Sequence, residues 1–326
     1  MKALSLGSIG CGNRGAIHGK AVLKAGQMAV SHACDLIPER AERAADVWSA
    51  RPCTDYREVL ADETVDAVLI ATTVDAHLPI ALAALEAGKH LVVEKPLGDN
   101  LPQAREFVAA SEASDRVCYV SFQLRFQPML GAVYRHTRAI DPVQILFERQ
   151  RGMMKPHFLN PSPFCGVMDV VAHDFDQVLW QMGRVPQAVT AVVRRNTFTD
   201  GTDAADTCSA LVDFGDGRGG VVFSSIGAPN VGTRFDFIGA EGNLSFGSRQ
   251  ELSACRFPRC TVNDREQVTL EPAEESDPDV ALQTAFAEEI RTGTRSCAAR
   301  PRDGLHSLLV TLACLQSARE GRRVSL

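Results

Sequence analysis

Along the first 120 residues, short apolar runs alternate with stretches whose apolar positions recur every three or four residues. The runs at 3–9, 28–33, 65–71, 90–93 and 117–122 predict strands, and the periodic stretches at 14–25, 38–50, 76–87 and 101–114 predict helices. Pro38 suits a first helical turn, and Gly26 and Gly88 suit helix ends. Strand–helix alternation of this length predicts a doubly wound parallel sheet covered on both faces. After about residue 140 the rhythm changes. One long helical pattern at 167–182 precedes strand-like segments at 188–194, 208–214, 220–225 and 235–239, broken by turns such as Asp213-Phe214-Gly215-Asp216-Gly217. Strands joined directly by turns predict a large, mainly antiparallel open sheet in an α+β domain. Helical stretches at 279–292 and 301–320 close the chain, with no internal repeat, low-complexity tract or flexible linker. The expected division is residues 1–122 and residues 123–326.

Composition narrows the classes. The 326 residues suffice for two cores, and 45% hydrophobic with 6% aromatic content fits a folded globular protein. A net charge of −6 gives no global field to attract nucleic acid or anionic lipid, and Arg194-Arg195 and Arg322-Arg323 are isolated pairs. No apolar stretch approaches the roughly 20 residues that span a bilayer. The chain enters a strand-like segment at once, so a cytoplasmic protein without a signal peptide is expected. The ten cysteines are scattered, and Cys255 and Cys260 form the one close pair. No second pair or histidine cluster completes a zinc site, so neither a metal nor disulfide staples are expected.

Gly10-Cys11-Gly12-Asn13-Arg14-Gly15 matches G-x-G-x-x-G directly after a strand pattern and at the opening of a helix, the context that this motif needs. Gly10 permits the tight turn, Gly12 the approach of a pyrophosphate, and Gly15 close helix–sheet packing, while the helix N-terminus offers free N–H groups. Asp35, about twenty residues on, stands where an acid binds the adenosine ribose hydroxyls. A carboxylate there repels a 2′-phosphate, and Leu36 and Ile37 follow instead of an arginine, so NAD is favoured. Arg40 remains a cation able to turn toward a 2′-phosphate, and NADP is the less favoured cofactor. The first domain is therefore read as a Rossmann domain.

Lys95, between Glu94 and Pro96, follows the strand at 90–93, at the carboxyl edge where ligands of open α/β sheets bind. Asp169 and His173 are spaced i, i+4 on the long helix, and Asp176 continues their face. Such a pair suits a carboxylate orienting a titratable imidazole; equally, it suits an acid at a helix N-terminus and a histidine bonded in the core. Other dehydrogenase solutions lack residues: none of Tyr56, Tyr119 and Tyr134 begins a Tyr-x-x-x-Lys, and no G-x-S-x-G occurs. Together these features point to hydride transfer to or from a small polar substrate.

These residues carry a family likeness. The chain resembles the Gfo/Idh/MocA-type oxidoreductases, the group containing inositol 2-dehydrogenases and glucose–fructose oxidoreductase, over nearly its whole length. The likeness runs through Gly10–Gly15 with His18, Ile70-Ala71-Thr72 through His77, and Ala87-Gly88-Lys89-His90 into Glu94-Lys95-Pro96. It continues in Phe122-Gln123-Leu124-Arg125-Phe126, in Asp169-x-x-x-His173-x-x-Asp176, and in the stretch from Asp303-Gly304-Leu305 to Gly321-Arg322. It implies Lys95, Asp169 and His173 as the catalytic trio. It also implies Thr72, His77, Glu94 and Gln123 along the cofactor, with Arg125 near the nicotinamide and substrate. Three places depart from the family pattern: Val74-Asp75 where Pro-Asn is common, Cys165-Gly166 where glycines run together, and Ala172 for a frequent glycine.

The expected activity is NAD-dependent oxidation of a ring secondary alcohol of a cyclitol or sugar. An NAD-binding sensor or transcriptional regulator of the same fold, and a glycosidase that uses NAD without net redox, are the competing readings. Arg149, Arg151, Lys155, His157 and Asn160 precede the Asp169 helix in what reads as a loop. It is either a solvated basic loop or a pocket border, in which case Arg151 and Asn160 touch substrate and an anionic substrate follows. The sheet of the second domain, with one face free of helices, predicts a homodimer or homotetramer.

Overall fold

Strand and helix alternate through the first unit as the apolar pattern predicts. The structure, a computed structural model, describes residues 3–152, 166–196, 204–227, 231–250, 259–262, 266–268 and 276–326. The chain divides into two units, Met1–Gln127 with Ser276–Leu305, and Pro128–Glu275 with His306–Leu326.

In the first unit the order is β1 (Leu4–Ile9), α1 (Asn13–Ala25), β2 (Met28–Cys34), α2 (Pro38–Trp48), β3 (Arg51–Cys53), α3 (Tyr56–Ala61), β4 (Ala67–Ile70), α4 (Val74–Glu86), β5 (His90–Val93), α5 (Leu101–Ala113) and β6 (Cys118–Val120). The sheet runs β3-β2-β1-β4-β5-β6 with every pair parallel. Strand order reverses between β1 and β4, and the crevice at their carboxyl ends is the ligand position of such sheets. All of β4 and nearly all of β5 are buried, which is why both read as unbroken apolar runs. β3 and α3 have no counterpart in the predicted elements: at three and six residues they are too short to show a period, although Asp55 caps α3 by accepting from the Arg57 N–H at 2.9 Å. The later helix Pro278–Thr292 belongs to this unit. Its Leu282, Phe286 and Ala287 join Leu6, Val30, Leu69, Val92 and Tyr119 in one buried cluster.

The second unit opens with α6 (Pro128–Ile140) and β7 (Pro142–Gln150), then α7 (Val167–Met182), β8 (Ala188–Arg194), β9 (Thr207–Gly215), β10 (Arg218–Ser225), β11 (Val231–Gly239), β12 (Asn243–Gln250), β13 (Arg259–Val262) and β14 (Glu266–Val268). After α8, the helix Pro278–Thr292, come α9 (Pro301–Glu320) and β15 (Val324–Ser325). The sheet order is β14-β13-β12-β11-β7-β10-β9-β8-β15. It is antiparallel except where β7 and β10 pair in parallel at its middle. Helix α7 lies against β7, β9 and β10, and α6 against β11 and β12. The covered face buries Ile145, Phe147, Val212, Val222, Phe235 and Phe237, while Leu146, Val192, Leu211, Val221 and Ile238 stand exposed at alternate positions. Two expectations need correction here. Neither α6 nor β7 is among the predicted elements, and Arg149 lies in β7, not in a loop.

Candidate active site

The glycine loop joins β1 to α1. Gly10 sits at φ +97°, and a Cβ there would lie 2.3 Å from the Ala71 carbonyl oxygen. A Cβ on Gly15 would lie 1.9 Å from the Gly10 carbonyl oxygen. Gly12 is different: nothing stands within 4 Å of its Cβ position, so the space over the loop is open. Gly12 also caps α1 without a side-chain hydrogen bond, which leaves the first-turn N–H groups for an anion. The Asp35 carboxylate, just past β2, is fastened to this loop; it accepts from the Cys11 N–H at 2.8 Å and the Ile37 N–H at 2.9 Å. Phosphates on the N–H groups and ribose hydroxyls on Asp35 fit these residues. Burial, and then the charge of Asp35, push the Cys11 thiol up to about 12, so it stays protonated and unreactive. Asn13 is exposed at the helix start, whereas the Arg14 guanidinium turns to Glu94 (2.8 Å) and Asp279 (2.9 Å).

That contact ties the glycine loop to Lys95. Glu94 is buried, and its Oε1 accepts from Arg14 Nε (2.8 Å) and Ser121 Oγ (2.9 Å) and lies 2.7 Å from His18 Nε2. Its Oε2 accepts from the Lys95 backbone N–H at 3.1 Å. Burial opposes ionisation of Glu94, but the Arg14 charge and the His18 hydrogen bond outweigh it and hold its carboxyl well below the usual range. Gln283 Nε2 meets the other ring nitrogen of fully buried His18 at 3.0 Å, which fixes the imidazole from behind. Lys95 itself is half-buried at the carboxyl edge of β5, and its peptide bond to Pro96 is cis.

Around this core, buried His77 lies with Nδ1 2.9 Å from the Pro96 carbonyl oxygen and Nε2 3.3 Å from that of Thr72. It braces the loops after β4 and β5. Burial lowers its pKa, against the pull of those two carbonyls. The short 3₁₀ turn Gln123–Phe126 carries Gln123, whose buried Oε1 has no hydrogen-bond partner among the described residues, and buried Arg125, 3.4 Å from Asp303.

In the second unit, α7 starts at Gly166, where a Cβ would strike the Ala205 carbonyl oxygen at 2.3 Å. Fourteen of its 16 residues are buried, so the chemistry-bearing side chains sit on a helix held from all sides. Asp169 is half-buried in the first turn, His173 and Asp176 are buried on the same face, and Ser307 of α9 donates to the Ala172 carbonyl at 2.8 Å. Facing the sheet, Asp174 accepts from Arg149 (2.6 Å) and from Ser224 (2.6 Å). Arg151 follows at the end of β7. Lys155, His157, Asn160, Cys165 and Cys255 lie outside the described residues.

Residues 4–122 match the family model for the Gfo/Idh/MocA oxidoreductase family with NAD-binding Rossmann fold, and residues 140–245 match the C-terminal domain model of the same family. The chain belongs to the Gfo/Idh/MocA family. It is an oxidoreductase, and its cofactor is NAD. Among known proteins it is 29% identical to scyllo-inositol 2-dehydrogenase (NAD(+)) of Bacillus subtilis over 66% of this chain and 65% of that one. It is 25% identical to inositol 2-dehydrogenase of Rhizobium meliloti over 98% of each. The fold matches a levoglucosan dehydrogenase complexed with NADH, with a TM-score of 0.85 at 20% identity over 99% of each chain. It also matches GenD2 from gentamicin A biosynthesis in complex with NAD, with a TM-score of 0.83 at 21% identity over 100% of this chain and 97% of that one.

Within this Gfo/Idh/MocA chain, several residues around the site were invisible in sequence. Ser121, Asp279 and Gln283 reach Glu94, Arg14 and His18 from 27, 265 and 265 positions away. Asp174 and Ser224 likewise meet across 50 positions. No helix among the described residues is long and apolar enough to cross a membrane.

Proposed function

We propose that this oxidoreductase oxidises a ring secondary alcohol of a cyclitol or sugar. The observation that carries the reading is the Arg14–Glu94–Lys95 linkage: one buried carboxylate joins the first helix of the glycine loop to the backbone of the lysine. Nicotinamide, when bound, supplies the hydride acceptor. His173 takes the hydroxyl proton, Asp169 orients its imidazole, and Lys95 donates a hydrogen bond to the same oxygen as negative charge develops there. Relatives named for inositol dehydrogenation support a cyclitol or sugar in preference to an unrelated alcohol. The protein works as a homodimer or homotetramer joined through the helix-free face of the second unit's sheet.

The test is NADH release across inositols, free sugars, sugar phosphates and nucleotide sugars. Turnover with a cyclitol or sugar is expected. Tight NAD binding without turnover on any polyol, sugar or ketone would favour a sensor, and glycoside cleavage without net NADH would favour non-redox chemistry.

A further inference from the structure

We infer that Arg151 receives an anionic substituent, a carboxylate or a phosphate, on the polyol that the enzyme oxidises; this rests on the dehydrogenase reading above. Arg151 prolongs β7 by donating its N–H to the Ser225 carbonyl at 2.8 Å, continuing the parallel pairing of Arg149 with Ser224 and Gln150 with Ser225. Residues two apart on a strand share a face, so Arg151 lies on the same side as Arg149, the side covered by α7. Arg149 already has its counter-ion, because Asp174 Oδ1 stands at 2.6 Å. The other oxygen of Asp174 is taken by Ser224.

Among the described residues Arg151 has no such partner. Among the described residues no carboxylate lies within ion-pair distance of its guanidinium. The segment 153–165 that follows contains no Asp or Glu at all. Burial, and then the neighbouring Arg149, bring its pKa down to about 10, which still leaves it cationic at neutral pH. A guanidinium drawn partly out of water beside a second one is unfavourable unless an anion completes it. Its planar fork suits a bidentate oxyanion. Of the two acids whose charge it feels, Asp174 is committed to Arg149 and Asp169 is the proposed partner of His173. The open cation therefore lies on the side of the proposed catalytic acid, where a group on the substrate itself would bind.

The experiment measures calorimetric binding to the NAD-loaded protein of glucose against glucuronate and glucose 6-phosphate, and of myo-inositol against its 1-phosphate, with NADH release followed for each. At least one anionic compound should bind roughly 30-fold or more tighter than its neutral parent, the scale of a partly buried charge pair. Which of them does so tells carboxylate from phosphate. Arg151→Gln should bring the anionic-to-neutral ratio close to one, and Arg151→Lys should restore much of it; a Tm close to wild type in both variants shows that the fold is intact. Neutral parents binding as tightly as every acid, or an anion preference that survives Arg151→Gln, would overturn the inference. NADH from a neutral compound without any anion advantage sinks this inference alone. Arg151-dependent anion binding with no NADH from any compound keeps Arg151 as an anion site and sinks the dehydrogenase reading.

Discussion

At the residue scale, Glu94 shows how little of a site a sequence displays. The Glu-Lys-Pro triplet is visible in the chain, yet the carboxylate acts through Arg14, His18 and Ser121, which are 80, 76 and 27 positions away. Glu94→Gln leaves Arg14 and His18 facing a neutral amide, and removing one member of a buried charged set costs about 3–5 kcal/mol. The folded-state pKa of Glu94 lies below the ordinary carboxyl value of 4.5, so its stabilisation is complete above that pH and is lost as pH falls through the folded value. Thermal melts should therefore show a lower Tm for Glu94→Gln at pH 7, and a smaller gap from wild type as the buffer is taken well below 4.5. A constant gap across that range would show that the carboxylate's charge is not what stabilises. His173 gives a different signature. If it is the base, His173→Ala should lower kcat/KM by roughly 10²–10⁴-fold and abolish the rise of rate with pH that a histidine ionisation produces, with little change in NAD affinity. Near-normal turnover with the same pH profile would leave Lys95 as the candidate base.

At the element scale, the first unit was legible because each strand or helix long enough to show a period shows one, and the exceptions have physical reasons. The inward face of β7 ends in Arg149, a buried arginine satisfied by Asp174, so a strand with alternate burial reads as a basic loop. Helix α6 buries Leu130, Val133, Thr137 and Ile140 at helical spacing, but Gly131 and polar Thr137 blur the stripe. The glycine loop, legible from spacing alone, gains from the structure a distinction that spacing cannot make. Gly12→Val places its side chain in open space, so the Tm should hold while NAD affinity in titration falls, by roughly 10²-fold or more if the pyrophosphate loses its approach. Gly15→Ala drives a methyl into the Gly10 carbonyl and should cost stability, about 1–3 kcal/mol, through overpacking. Equal effects of the two substitutions on Tm would contradict the separate roles.

At the scale of the whole molecule, chain order and spatial order part company. The first unit's core includes Leu282, Phe286 and Ala287 from α8, and Tyr119 Oη donates to Glu289 at 2.7 Å. No periodicity announces that a helix near the chain's end completes a sheet formed near its start. A fragment ending at residue 127 should thus expose that cluster and fail to give a cooperative melt, while the full chain melts sharply; a stable fragment would contradict this. The second unit poses the opposite question, since among the described residues its sheet carries apolar side chains that stand exposed. Register places Leu146 beside Val221 and Val221 beside Leu211, so the exposed face carries a continuous apolar row across β7, β10 and β9. Scattered exposed leucines are ordinary on a monomer, but an aligned row on a flat sheet is the pattern of a surface meant to be covered. A second copy can cover it with the same row, because a two-fold axis through the face sets identical apolar strips against each other. Light scattering at micromolar concentration should give a dimer or tetramer. Leu211→Lys, which puts a charge in the middle of the row and disturbs no buried contact of the unit, should shift the population to monomer. A monomeric wild type would remove the proposed assembly, and an unshifted oligomer in Leu211→Lys would move the interface to another surface.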